Sequence, residues 1–315
     1  MKSDAGLSGE ASEAVLATAV AAALWGTSFP AVSLGLEGGI DPTTFVLLRF
    51  AIAAPIMLIV AFALGRDIMG VFRTRAAWVL GLLNTVGFLC QFIGQQYTGA
   101  SVAALLVNLS VVLAAAGGAV FLKERLGRVK VLGVSLAFAG TALIATGGDP
   151  GTITGGELLG DVLFLVSAAS WAAYIVYAKK KTEESRLDPL TLAACIVGAT
   201  VVFVLPVALL VGLKAPGQVS LEAIGYTAVF NTAIPFVLYQ QGLRYLTAAS
   251  SAILLMLEIV VALFVSAAFF GETMGAVAWV GAAVVLASVL LVSGVEVDTK
   301  NLSVGETSAK RVQAP

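Results

Sequence analysis

Ten apolar stretches, each about as long as a bilayer is thick, follow one another along this chain of 315 residues with short polar breaks between them. They lie near 13–34, 42–64, 76–96, 99–122 and 127–146, then 158–179, 189–211, 221–243, 246–270 and 274–294. About 20 apolar residues carry a helix across roughly 30 Å of hydrocarbon, so each stretch fits one crossing. Inside lipid the backbone must satisfy its own hydrogen bonds, which leaves helices or closed barrels. Runs this long and continuous fit helices. Only 12% of the residues are charged, against about a quarter in water-soluble domains. The expectation is an all-α integral membrane protein with ten transmembrane helices and no sizeable soluble domain.

The few charges are sorted by place. If the chain starts in the cytoplasm, sixteen of its 18 lysines and arginines face that side, as the positive-inside rule requires. Arg66, Arg73 and Arg75 lie between spans 2 and 3, and Lys123, Arg125, Arg128 and Lys130 around the turn from 4 to 5. Lys179, Lys180, Lys181 and Arg186 follow span 6, and Arg244 follows span 8. Lys2, Lys300, Lys310 and Arg311 sit on the termini. Lys214 alone falls outside, and Arg49 lies within span 2. Both termini are therefore expected in the cytoplasm and the protein in the inner (plasma) membrane as a multi-pass chain. Residues 1–12 form a cytoplasmic segment, 147–157 an external linker and 295–315 a polar tail expected to be disordered. Asp4, Glu10 and Glu13 before the first apolar run argue against a cleaved signal peptide.

The chain repeats itself at an offset of 147 to 148 residues. Asp41-Pro42 with Thr44 returns as Asp188-Pro189 with Thr191, and Asn84-Thr85 as Asn231-Thr232. Phe121-Leu122-Lys123-Glu124 returns as Phe269-Phe270-Gly271-Glu272, and Gly133 as Gly281. Five spans is an odd number, so a second copy enters the membrane from the opposite side. Loop charges invert accordingly: Lys123 and Arg125 correspond to Gly271 and Thr273. Two inverted five-helix repeats, 13–146 and 158–294, are expected, with a substrate site near mid-membrane at their interface and rocking between two open states.

Several short motifs in fixed order then resemble the drug/metabolite transporter superfamily, and within it the EamA family of ten-helix bacterial carriers. They are Trp25-Gly26-Thr27-Ser28-Phe29, Leu48-Arg49-Phe50, Ser101 to Leu109, Phe121 to Arg125 with Gly133, Leu257-Glu258 and Gly271-Glu272. The resemblance covers residues 14–294 and implies secondary transport, usually export, of amino acids, related metabolites or drugs. The family usually has a proline where this chain has Val111 and Ile259, so spans 4 and 9 are expected to run straighter here.

Arg49 and Glu258 are ionisable residues deep inside apolar spans, where a charge costs at least about 2.5–3.5 kcal/mol and usually faces a cavity or a partner. Coming from different repeats, they are expected to approach each other, as a gate, as the two poles of a site for a zwitterion, or as a fixed structural pair. Glu258 is the candidate coupling-proton site. Asn84, Phe88, Gln91 and Gln95 share one face of span 3 at helical spacing. Asn108 and Ser110 on span 4, Asn231 and Tyr239 on span 8, and the aromatics Trp25, Trp171 and Tyr174 complete the candidate substrate-binding or gating set. Such groups equally serve as hydrogen-bonded glue between helices. Pro30, Pro55, Pro206 and Pro235 are expected to mark bends, and Glu124 and Glu272 to cap the helices they precede.

The chain has no histidine and two cysteines, Cys90 and Cys195, both inside apolar runs. No metal site, disulfide or cofactor is therefore expected. No phosphate-binding loop is present, which argues against ATP hydrolysis, and no catalytic pair argues for an intramembrane enzyme. The net charge of −1 gives no reason to expect a nucleic-acid partner. A small-molecule carrier within the lipid bilayer is the leading reading, with a facilitative channel or a lipid or small-molecule scramblase as the alternative.

Overall fold

The structure, a computed structural model, describes residues 5–153, 157–185, 187–271 and 273–312. Helix α1 (Ala5–Gly26) and α2 (Ser28–Glu37) make the first crossing and α3 (Pro42–Ala63) the second. A short α4 (Ile68–Phe72) leads into α5 (Arg75–Gly94), α6 (Ala100–Phe121) and α7 (Arg128–Thr146). Then come α8 (Leu158–Ser185) and α9 (Pro189–Val211). The eighth crossing joins α10 (Gln218–Ala228) through a π turn, Val229–Ala233, to α11 (Ile234–Leu243). The ninth is split into α12 (Ala248–Leu255) and α13 (Leu257–Phe269), and α14 (Ala276–Val312) ends the described chain. Among the described residues, ten crossings are long and apolar enough to span a bilayer.

Local chemistry sets the helix ends. The Asp41 carboxylate accepts from Thr44 N at 2.9 Å and Thr44 Oγ1 at 2.6 Å, with Pro42 opening α3. Asp188 does the same for α9, accepting from Thr191 N at 3.1 Å and Thr191 Oγ1 at 2.7 Å behind Pro189. Each aspartate satisfies amides that the first turn leaves unpaired, and proline suits a position whose N–H has no helical partner. At the other end, α6 is stopped by Lys123 in the left-handed region, φ 57°. Its counterpart after α13 is Gly271, φ 68°. A side chain in that region costs about 1–2 kcal/mol where glycine pays nothing sterically. Lys123→Gly should therefore raise stability by about 1 kcal/mol, read as a higher melting temperature of the purified protein; an unchanged or lower one would contradict the cap geometry.

Three differences from the expectations have physical causes. The last helix continues to Val312 instead of loosening at Val295, since residues 295–312 contain no proline and one glycine to interrupt a propagating helix. Pro55 and Pro206 lie inside unbroken α3 and α9; the breaks fall at Thr27, just before Pro30, and in the π turn before Pro235. Span 4 is continuous, as α6, but span 9 breaks at Met256 without a proline. There Met256 N donates to Ile253 O at 3.1 Å and Ile259 N to Met256 O at 3.2 Å, a tightened 3₁₀ turn between two α segments.

Small residues let the helices close on one another. A methyl on Gly281 would lie 2.6 Å from Gly140 O, and Ser288 Oγ donates to Gly133 O at 2.8 Å, which seats α14 on α7. Asn84 Nδ2 reaches Thr200 Oγ1 at 3.0 Å between α5 and α9. Ser167 Oγ donates to Gly87 O at 2.9 Å, and Ser170 Oγ to Leu83 O at 2.7 Å, between α8 and α5. Large apolar side chains such as Phe62, Leu210 and Leu290 face outward and are mostly exposed, as a lipid-facing surface requires. One end of the bundle carries Arg66, Arg73, Lys123, Arg125 and Arg128 (the basic end); the distal end carries Glu37, Asp149 and Glu222.

Candidate functional site

The three interrupted crossings meet in the middle of the bundle, and proline chemistry explains why. In an α-helix the carbonyl of Asn231 would accept from the amide of residue 235, but Pro235 has no N–H to give. That carbonyl accepts instead from Trp25 Nε1 at 2.9 Å and from Arg49 Nη2 at 2.6 Å. The Asn231 side chain returns the favour to the break in span 1: its Nδ2 donates to Leu24 O and to Thr27 Oγ1, the latter at 2.9 Å. Thr27 Oγ1 also shares a 2.8 Å hydrogen bond with Tyr226 OH. Gly26 completes the junction, because a methyl there would sit 2.4 Å from Glu258 O. Glycine at this point lets α1 touch the backbone of α13 beside the Met256 break.

Arg49 is held by this junction. Its Nε donates to Thr232 Oγ1 at 2.6 Å, and its guanidinium lies 5.1 Å from the Phe88 ring centre and 5.8 Å from that of Phe50. Thr232 Oγ1 in turn donates to Thr227 O at 3.0 Å. The side chain is 1% exposed, and its Nη1 has no partner among the described residues. No ion pair joins Arg49 to Glu258; carbonyl and hydroxyl oxygens on span 8 hold the cation in place. Both residues line the same cavity, and no bond joins them.

That cavity has a volume of about 720 Å³, within the range of small-molecule sites. Arg49 and Glu258 both line it. So do Gln91 and Gln95 of α5, Asn108 and Ser110 of α6, and the aromatics Trp25, Trp171, Tyr174 and Tyr239. The rings brace one another: Trp25 meets Phe236 and Tyr239 edge-on at 5.6 and 5.5 Å, and Trp171 meets Phe88 at 4.9 Å. Trp171 Nε1 donates to Gln91 Oε1 at 3.2 Å, and Gln240 Nε2 to Tyr174 OH at 2.8 Å. The space runs from mid-bundle to the distal end, where Glu37, Gln95 and Thr98 line it. Toward the basic end its lining stops at Val111 of α6, Ile175 of α8 and Ala252 of α12.

Two candidates do not reach it. Asn84 is buried against Thr200 on α9, one turn short of Phe88, where the stripe that carries Gln91 first lines the cavity. Asn231 is fully buried in the helix junction and acts on the cavity through Arg49 and Trp25. Sequence reasoning missed Ser28, Ser33, Glu37, Thr98 and Ser266, which also line the space. Phe29, Ser33 and Glu37 recur every four residues, a face that was there to be read. Glu124 caps a different helix from the one it precedes, accepting from Ala248 N at the start of α12. Glu272 lies outside the described residues.

The described residues form a ten-crossing helical bundle, with no strand, around a central aromatic-lined polar cavity, the architecture of an integral membrane protein with room for a small molecule. The sequence pattern of the EamA-like transporter family matches residues 12–146 and again 158–294, and the chain belongs to that family. It is a multi-pass transporter of the cell membrane, not an enzyme. It is 28% identical over 291 residues to a probable terminal-alkyne amino-acid exporter of Streptantibioticus cattleyicolor, covering 90% of this chain and 94% of that protein. It is 27% identical to the uncharacterized transporter YyaM of Bacillus subtilis over 82% of this chain and 86% of that one. The uncharacterized inner membrane transporter YedA of Escherichia coli is 24% identical over 86% and 87% of the two chains. A crystal structure with 19% identity shares the fold, with a TM-score of 0.76 over 90% of this chain and 98% of that one.

Proposed function

We propose that the protein is a secondary carrier that exports a small zwitterionic metabolite, an amino acid or close relative, by alternating access. The observation that carries this reading is the single-ended central cavity with Arg49 and Glu258 both on its wall and unpaired with each other. A buried cation without a carboxylate partner is unfavourable, and a substrate carboxylate at Nη1 would neutralise it. Glu258 offers the matching anion for an ammonium group, and the aromatic walls accept an apolar side chain. The name of the Streptantibioticus relative, an amino-acid exporter, points to the same class.

Alternating access needs two equivalent halves, and the helix contacts support an inverted duplication of 13–146 as 158–294. Shifting every span by five exchanges α5 on α8 with α11 on α1, and α6 on α8 with α12 and α13 on α1, while α3 on α9 and α7 on α14 map onto themselves. Gly133 with Ser288 and Gly140 with Gly281 are likewise the same pair, since 133 matches 281 and 140 matches 288. The sixteen-to-one charge split supports cytoplasmic termini, so that the cavity faces outward in this state. Glu258 is the residence for a coupling proton at mid-membrane, and transport indifferent to an imposed pH gradient would remove that role.

Counterflow in proteoliposomes tests the carrier reading. Vesicles loaded with unlabelled amino acids are given the same compounds labelled outside. Trans-loading should accelerate uptake of at least one, and its amide and its decarboxylated amine should fail to compete. Flux that ignores the trans solute would mean a channel, and equal competition by the amide would remove the carboxylate site.

A further inference from the structure

The basic end holds a knot of buried and half-buried polar groups that the cavity does not use. Glu124, in the turn between α6 and α7, accepts from Ala248 N with both oxygens, at 2.8 and 3.1 Å. Glu296 on α14 accepts from Thr247 N at 3.0 Å and from Ser250 Oγ at 2.8 Å. Lys130 on α7 pairs with Glu296 at 2.9 Å and donates to Thr247 Oγ1 at 2.7 Å. Three separate elements therefore grip the first turn of α12, and two carboxylates meet its unpaired amides and positive dipole end. Glu124 reaches back over α6 because residue 118 is glycine: a methyl there would lie 2.7 Å from Glu124 Oε2 and 3.1 Å from Ala248 Cβ.

The gripped helix is short and separately hinged. α12 spans eight residues between this knot and the 3₁₀ turn at Met256, and its far end, Ala252, Leu255 and Met256, lines the inner end of the cavity. It packs against α6, α7 and α8, which closes the bundle below the cavity. Stripping two charges of water largely offsets what an ion pair gains, so it is a poor choice for a permanent staple and a reasonable one for a contact that must part. Water can also replace the bonds when they break, because a second space of about 330 Å³, lined by Arg125, Arg128, Lys130 and Glu296, adjoins the knot. We propose that α12 is the gate at the basic end. Glu296, Lys130 and Glu124 are its latch and Met256 its hinge, so that releasing the latch opens the cavity toward the basic face.

The gate rests on the carrier reading, but its test requires no transported solute, so the two can fail separately. A reporter cysteine is placed at Leu255 after Cys90 and Cys195 are replaced by alanine, and membrane-impermeant thiol reagent is applied from each face of sealed vesicles. With the latch intact, labelling should come from the distal face. Glu124→Gln with Glu296→Gln should raise labelling from the basic face about tenfold, as expected when charge-assisted hydrogen bonds holding one state are weakened. Thr200→Val loosens a polar contact between α5 and α9 that is remote from the latch, and should leave the sidedness unchanged. Should the double variant not purify as a monodisperse protein, Lys130→Met gives the same readout. Unaltered sidedness in a well-folded latch variant, or the same shift in Thr200→Val, would overturn the gate.

Discussion

Arg49→Met should raise the KM for a carboxylate-bearing substrate by about a hundredfold or more, the scale expected when one member of a buried charge-assisted pair is removed. Arg49 is the cation on the cavity wall at mid-bundle, and its Nη1 is not committed to the protein. Its other contacts, to Thr232 Oγ1 and Asn231 O, serve to aim it. Lysine should not rescue, because a single ammonium cannot hold both oxygens and still present a donor to the cavity in a fixed plane. The folded protein should tolerate the methionine, since an uncompensated buried charge disappears together with its hydrogen bonds. Substrate titrations monitored by tryptophan fluorescence, with Trp25 and Trp171 lining the same cavity, separate lost binding from lost protein. Wild-type affinity for the acid in Arg49→Met would assign the arginine a structural role.

Particular residues show how far the chain could be read. The Asp-Pro-x-Thr motif was legible twice because its geometry is local: aspartate reaches the amide three residues on, in α3 and in α9 alike. The stripe of Asn84, Gln91 and Gln95 was legible as a face, but not what lies opposite it. Over seven residues a helix rises about 10 Å, enough to pass from the α9 contact at Asn84 to open cavity at Gln91. Glu124 was legible as a capping carboxylate, but its target lies 124 residues away and emerges only once α6 and α12 are packed. The Met256 break has no proline or glycine to announce it. It becomes visible only where α13 offers the Glu258 carbonyl to Gly26. What stays within a turn or two of the chain can be read; what depends on the neighbour across an interface cannot.

Pro235→Ala should impair transport while leaving the protein as stable or more so. Restoring an N–H at 235 gives the Asn231 carbonyl its helical donor, and a proline inside a helix costs about 3 kcal/mol, an upper bound on the gain. That carbonyl would then compete for its present donors, Trp25 Nε1 and Arg49 Nη2. As the π turn Val229–Ala233 relaxes toward α geometry, Thr232 rotates away from Arg49 Nε. A π turn inside an α-helix is disfavoured and tends to be kept where function needs the displaced residues. The expected signature is therefore opposite in sign for two measurements: a melting temperature that rises or holds, and counterflow that falls tenfold or more, with the loss in KM as for Arg49→Met. A variant that loses stability and activity together would mean that the proline serves folding. One that keeps full transport would mean that Arg49 does not need the freed carbonyl to be aimed.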